Sequence, residues 1–369
     1  MADTISVVVL HYLQNKTWKD TLRSILSQDY PSVELVFMDD CSPGFDINEV
    51  GDFIRNNSKG NLVGFELYRQ PENVGTVENF RQAHDFCTGK YLTHIAADDA
   101  YISNSVLSSY VECLSKKQED VLGVYGQSYL CNRDLVRLGD TYFEQENAMK
   151  LNTSDSKEQF FELSLRCCIP MGATAFIREE YIHHEVSNNY RLVEDWPFFI
   201  NATRKGKRFF YGEFDALLYR DGGISRNIST SPTLIQCFSD TLNLYENDVF
   251  PYISVHSICR QMRIYYEYNQ YRIVASNHAG ELSSKSRIML LRRHPKLMLS
   301  LLFERIKSAK LISLFILTWL VGTIVLISLK TAFLSQICFT AATFCCYSLV
   351  GFVRSIGKIF TFLTSKRKS

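Results

Sequence analysis

The sequence predicts an α/β domain built on a parallel sheet, followed by C-terminal helices and a pair of membrane-spanning runs. Three observations carry this. Over the first hundred residues the pattern switches repeatedly between continuous apolar runs and a helical period. Acidic pairs stand where two of those runs end. Two long uncharged stretches lie near the C-terminal end. The chain has 369 residues, enough for a sizeable core, and a formal net charge of +1, which excludes an overall pull toward nucleic acid.

The elements follow in order. "ISVVVL" (5–10) has the composition of a strand buried on both faces. "TWKDTLRSILSQ" (17–28) sets Trp18, Leu22, Ile25 and Leu26 on one helical face. "VELVFMD" (33–39) is a second buried strand, "INEVGDFIRNN" (47–57) a short helix and "LVGFELYR" (62–69) a third strand. "VENFRQAHDFC" (77–87) aligns Val77, Phe80, His84 and Cys87, and "YLTHIAA" (91–97) is a fourth strand. Alternation at this spacing implies crossover helices on a parallel sheet, whose ligands bind beyond the carboxyl ends of the strands. Asp39, Asp40, Asp98 and Asp99 all fall at such ends.

The middle is less regular. Helices are expected over 106–117, 156–167 and 194–206, the last with Pro197 in its first turn where proline is tolerated. Extended segments are expected over 122–127 and 172–177, with "KRFFYG" and "DALLYR" as two short strands. Residues 232–310 have the pattern of helices rich in Tyr and Arg. The expected divisions are a nucleotide-binding domain at 1–230, a helical juxtamembrane region at 231–310, two spans within 311–353 and a basic tail at 354–369. The runs 311–329 and 332–353 lack charge, and basic residues flank the pair on both sides. The positive-inside rule then makes a hairpin with both flanks in the cytoplasm. The stretch 288–310 mixes Leu and Met with basic residues and fits either a lipid interface or a linker helix. The eleven cysteines show no CxxC pair, as expected of free thiols in a reducing compartment, and the start "MADTISVVVL" does not have the basic opening of a signal peptide. His11, His84 and His94 show no metal-ligand spacing.

Four signals call for one explanation: "FMDDCSPG" (37–44), "RQPENVGTVENF" (69–80), "YLTHIAADDA" (91–100) and "RLVEDWPFF" (191–199). In this order, after "ISVVVLHYLQNKTWKDTLRSILSQDYPSVELVFMDD", the chain resembles the inverting glycosyltransferases of family 2, which have the GT-A nucleotide-sugar-binding, Rossmann-like fold. The resemblance covers about residues 4–225 and is specific over 5–100 and 194–196.

The resemblance implies roles by position. His11 and Tyr12, at the first strand end, would pack on the nucleotide base; Asp39 would hydrogen-bond it, with Asp40 alongside. Asn73 and Gly75 would lie near the nucleotide. Asp98, with Asp99 beside it, would hold Mg²⁺ or Mn²⁺ on the diphosphate, although Ala96 stands where many members have a further acid. Asp195 would be the catalytic base. Glu194 either orients it or is an ordinary acid favoured by the helix dipole. Arg220 and Arg226, around Gly222-Gly223, would close on the diphosphate or form a tight turn, and "MGATAF" (171–176) would form part of the acceptor-side wall. The implied activity moves a sugar from a nucleotide-sugar donor, UDP-linked by expectation, to a hydroxyl of a lipid-linked saccharide acceptor. The implied location is the inner (cytoplasmic) membrane, with the catalytic domain facing the cytoplasm and membrane lipid as a partner. Transfer to a polyprenyl phosphate and an inactive membrane-bound scaffold are the alternatives; a homo-oligomer is compatible with all three.

Overall fold

The computed structural model describes residues 2–184, 189–221 and 232–278. The chain divides after Ser283, and every described residue lies in the first unit. Arg226, the Gly222-Gly223 pair, the basic stretch 288–310, both apolar runs and the tail lie outside the described residues. Among the described residues no helix is long and apolar enough to cross a membrane.

The elements are β1 (Ile5–His11), α1 (Trp18–Leu26), β2 (Val33–Asp39), α2 (Ile47–Asn57), β3 (Leu62–Arg69), α3 (Thr76–Ala83) and β4 (Tyr91–Ala96). There follow β5 (Ala100–Tyr101), α4 (Val106–Ser115), β6 (Val121–Cys131), β7 (Arg137–Thr141), α5 (Gln145–Asn152) and α6 (Ser156–Leu163). Then come β8 (Thr174–Ile177), α7 (Arg178–Ile182), α8 (Asp195–Arg204), β9 (Arg208–Arg220), α9 (Pro232–Leu244) and α10 (Ile258–His278). One sheet holds the strands in the order β3-β2-β1-β4-β8-β6-β9-β5, with β7 beside β6. The first four strands are parallel. β8 then runs antiparallel between β4 and β6.

Both faces of the sheet are covered, which is why β1 and β2 are apolar without alternation. Val7, Val9, Leu35 and Phe37 pack toward α1, α2 and α4. Val8, Val36 and Met38 join α3, α6 and α8 in the second core, together with Leu244, Tyr245 and Ile264 of the C-terminal helices. Asp46 caps α2 by accepting from the Asn48 N–H at 2.9 Å.

Several boundaries differ from the sequence expectation. The two short strands at 207–220 are one strand, β9, whose register against β6 shifts around Glu213, a residue at φ +58°. This is a bulge within one strand rather than a break between two. α6 ends at Leu163, four residues early, and α3 gives way after Ala83 to a single tight turn. His84 and His94 do meet: their Nε2 atoms lie 3.1 Å apart in a buried cage with Phe80 and Tyr181. Burial, then His84, holds His94 well below its ordinary pKa.

Candidate active site

β1 has β2 on one side and β4 on the other, so strand order reverses there and a crevice opens beyond the carboxyl ends. The register sets His11 opposite Asp39. Their contact follows, His11 Nδ1 to Asp39 Oδ1 at 2.7 Å. The Ser42 N–H donates to the same carboxylate at 3.0 Å, and Arg69 Nε lies 3.3 Å away. Burial opposes the Asp39 charge, yet the bonds from His11 and Ser42 outweigh it and hold the carboxyl below its ordinary value. Asp39 is fully buried, so in this structure it has no face open to a ligand. The His11 ring stacks on Phe45, and its buried Nε2 meets no hydrogen-bond partner among the described residues. Tyr12 is part-exposed, its N–H donating to Gln14 Oε1 at 2.5 Å.

Asp40 holds a loop. Its carboxylate accepts from the Val74 N–H at 2.7 Å, the Gly75 N–H at 3.0 Å and Asn73 Nδ2 at 2.9 Å. Burial raises its pKa against those bonds. Gly75 adopts φ +90° and ψ 162°, a region essentially confined to glycine. A Cβ there would sit 2.7 Å from the Arg191 backbone oxygen. Gly75→Ala is therefore expected to cost about 1–3 kcal/mol, seen as a lower denaturation midpoint at unchanged slope.

Beyond β4, the Ala97 N–H donates to the Leu10 carbonyl at 2.9 Å, so the acidic turn sits at the β1 end. Asp98 is part-exposed. Among the described residues its own backbone N–H is the only donor its carboxylate meets. Burial raises its pKa, while Arg220 and His11 favour the charge. Asp99 is 3% exposed and accepts the Arg220 N–H at 2.8 Å. Burial, then the Asp98 charge, holds it well above its ordinary value. The Arg220 guanidinium is committed to protein acceptors: Nε to the Asp98 carbonyl at 2.5 Å, Nη2 to Asp20 Oδ2 at 3.1 Å, and Nη1 to the Arg133 carbonyl.

With Ala96 in place of an acid, no group of three His, Cys, Asp or Glu side chains comes together among the described residues. A hard divalent ion takes one or two carboxylates plus phosphate oxygens and water. Asp98 fits that donor set as the part-exposed carboxylate, with a diphosphate ligand supplying the rest. Asp99, buried and biased toward its protonated form, fits it less well.

The early end of α6 brings Cys167 to the start of α8, where its thiol donates to Asp195 Oδ2 at 3.6 Å. The Trp196 N–H donates to Asp195 Oδ1 at 2.6 Å. Burial raises the Asp195 pKa, and these two bonds oppose the rise. Among the described residues, Glu194 has only its own backbone N–H in support. Burial, then Asp195 and Asp240, push it up to about 8. Burial thus disfavours the charge on both carboxyls, and Asp195 is the one whose charge is favoured by hydrogen bonds from other residues.

Arg191, just upstream, connects the clusters: its guanidinium reaches the Asn73 carbonyl at 3.1 Å and Asn73 Oδ1 at 2.9 Å. The structure thus gathers His11, Asp39, Asp40, Asn73 and Gly75 into one group and Asp98, Asp99 and Arg220 into a second. Arg191 ties the first to Glu194 and Asp195. Sequence reasoning missed Arg191, Cys167, Asp20 and Asp240. The one signal available was Gln236 and Asp240, a polar i,i+4 pair within an otherwise largely apolar stretch.

Comparison with known proteins follows this geometry. A family model described as "Glycosyl transferase family 2" matches residues 6–184. The mannosyltransferase PcManGT from Pyrobaculum calidifontis, solved with GDP-Man and Mn²⁺, is 14% identical, with 95% of this chain and 86% of that chain covered and a TM-score of 0.50. TarS of S. aureus (residues 1–349) is 13% identical over 80% of each chain, with a TM-score of 0.49. GalNAc-T7, solved with UDP, GalNAc and Mn²⁺, is 13% identical over 75% of this chain and 54% of that chain, with a TM-score of 0.48. At such identities the PcManGT likeness speaks to the fold alone, that of a GT-A-like glycosyltransferase.

Proposed function

We propose that this chain, which carries a glycosyl transferase family 2 domain over residues 6–184, transfers a sugar from a nucleotide-sugar donor to an acceptor hydroxyl with inversion. One observation supports the reading above all. The strand-order reversal at β1 has a part-exposed carboxylate, Asp98, at its rim, and the Asn73–Gly75 loop that Asp40 holds is tied through Arg191 to the segment carrying Asp195. Asp195 takes the proton of the acceptor hydroxyl as its oxygen bonds to the anomeric carbon. The bond from that carbon to the diphosphate breaks on the opposite face, and the nucleotide leaves. A Mg²⁺ or Mn²⁺ ion held by Asp98 would neutralise charge on the leaving diphosphate. Binding of GDP-Man and Mn²⁺ by PcManGT is consistent with such a site.

In this reading the donor is UDP-linked and the acceptor is a lipid-linked saccharide. The runs 311–329 and 332–353 anchor the enzyme at the cytoplasmic face of the inner membrane. Enzyme and acceptor on one surface meet at a raised effective concentration. The test is nucleotide release from a panel of UDP- and GDP-sugars, with and without Mn²⁺ or Mg²⁺. Release that needs the ion and is lost in Asp98→Ala is expected. Release indifferent to both would overturn the metal role, and silence across the panel would overturn the activity.

A further inference from the structure

Asp240 lies on α9, beyond the part of the chain that matches the family model. It is 3% exposed. Its Oδ2 accepts three consecutive backbone N–H groups, from Arg191 at 3.0 Å, Leu192 at 2.7 Å and Val193 at 3.2 Å. Its Oδ1 accepts from Gln236 Nε2 at 2.9 Å. A buried carboxylate with its lone pairs filled in this way fixes the backbone it binds. The next two residues are Glu194 and Asp195. The same helix and the turn after it hold the segment's upstream end: Asn243 donates to the Asn189 carbonyl at 2.9 Å, and the Tyr190 hydroxyl donates to Asp248.

We propose that Asp240 is a positioning residue for the reaction: by gripping the 191–193 backbone it sets where Glu194 and Asp195 stand relative to the crevice. It touches neither donor nor acceptor. Its effect on rate comes through Asp195, because a base displaced by a fraction of its hydrogen-bond reach loses most of its efficiency. Arg191 extends the grip to the Asn73 loop, so the base and the nucleotide-side loop share one anchor. The proposal rests on the glycosyltransferase reading above.

Two substitutions separate the grip from the charge. Asp240→Ala removes both. Asp240→Asn keeps an oxygen for the three N–H groups and turns its amide toward Gln236 Oε1, so the grip survives while the charge goes. Glu194 faces Asp195 and Asp240, and Cys237 lies among all three; Tyr190 and Arg191 border Asp240 on its other side. Loss of the Asp240 charge alone should therefore move the pH step of Glu194, near 8, downward.

The experiment measures nucleotide release across pH, together with amide hydrogen exchange at Leu192 and Val193, in the full chain. Asp240→Ala is expected to lower kcat by about tenfold or more with donor KM changed much less. Exchange at the two amides should rise while the cores stay protected. Asp240→Asn is expected to keep kcat and the amide protection and to shift the pH profile alone. Unchanged exchange in Asp240→Ala, or equal loss of kcat in both variants, would overturn the proposal. If turnover instead survives Asp195→Asn, the catalytic reading falls, and the exchange data still decide whether Asp240 holds the segment.

Discussion

Asp195→Asn is expected to lower sugar transfer by about 10²–10⁴-fold while leaving nucleotide affinity within a few-fold of the parent. The amide is isosteric: its one oxygen can meet the Trp196 N–H while its NH2 faces the Cys167 sulfur, a weak acceptor, so the fold at the start of α8 is kept. What is lost is the capacity to take a proton. Glu194→Gln should behave in the opposite way. Glu194 is pushed up to about 8, so at neutral pH it already carries its proton, and glutamine resembles that form. Transfer within several-fold of the parent is expected for Glu194→Gln near pH 7. The pH dependence has a defined sign. Asp195 acts ionised and its pKa is raised by burial, so activity falls as pH drops through that raised value, sooner than for an exposed aspartate. Steady-state rates of the two variants from pH 5 to 8 decide between these roles. Equal losses in both would mean that the pair works as one unit, and an unaffected Asp195→Asn would remove the base. It would also revive transfer to a polyprenyl phosphate, whose anionic acceptor needs little base assistance.

The first hundred residues were legible because each element there is decided locally. β1 and β2 are apolar over most of their buried positions, and α1 shows its buried stripe at Trp18, Leu22, Ile25 and Leu26. The second half of the sheet depends on partners far away. β9 pairs with β6 across some ninety residues and absorbs extra residues at Glu213, which by itself resembles a turn. β7 is an edge strand exposed along its whole length, so it has no hydrophobic signature.

The site divides in the same way. Acids at strand ends are visible in order along the sequence, whereas their partners are not. Asp39 and Asp40 are adjacent, yet one is sealed by His11 and Ser42 and the other carries the Asn73–Gly75 loop. Asp98 and Asp99 are adjacent, yet one is part-exposed and the other buried against the Arg220 backbone. At a strand end and in the turn beyond it, neighbouring side chains leave in different directions, and a one-letter pattern does not record which direction holds the crevice. Capture of backbone N–H groups by Asp240 leaves still less trace, because the groups it binds are common to every residue.

Arg220→Ala is expected to destabilise the protein by about 1.5–3 kcal/mol, the range for losing hydrogen bonds made by a charged group. The guanidinium is 5% exposed and joins three separate pieces of chain: the Asp98 turn, the Arg133 carbonyl after β6, and Asp20 on α1. Removing it leaves the part-buried Asp98 and Arg133 carbonyls without this donor and Asp20 without its partner, and water recovers some of the loss at each. Lysine does not repair the site, since one ammonium cannot reach three acceptors arranged for a planar fork. Arg220→Lys is therefore expected to recover less than half of the lost stability in urea denaturation. The consequence for catalysis follows from the same bonds. Arg220 favours the charge on Asp98 and fixes its backbone, so its loss should weaken the response of nucleotide release to Mn²⁺ as well as the fold. A contact between Arg220 and the diphosphate alone would instead raise donor KM and leave the denaturation midpoint where it was. The midpoint is the deciding measurement, because only a residue built into the scaffold moves it in the absence of donor.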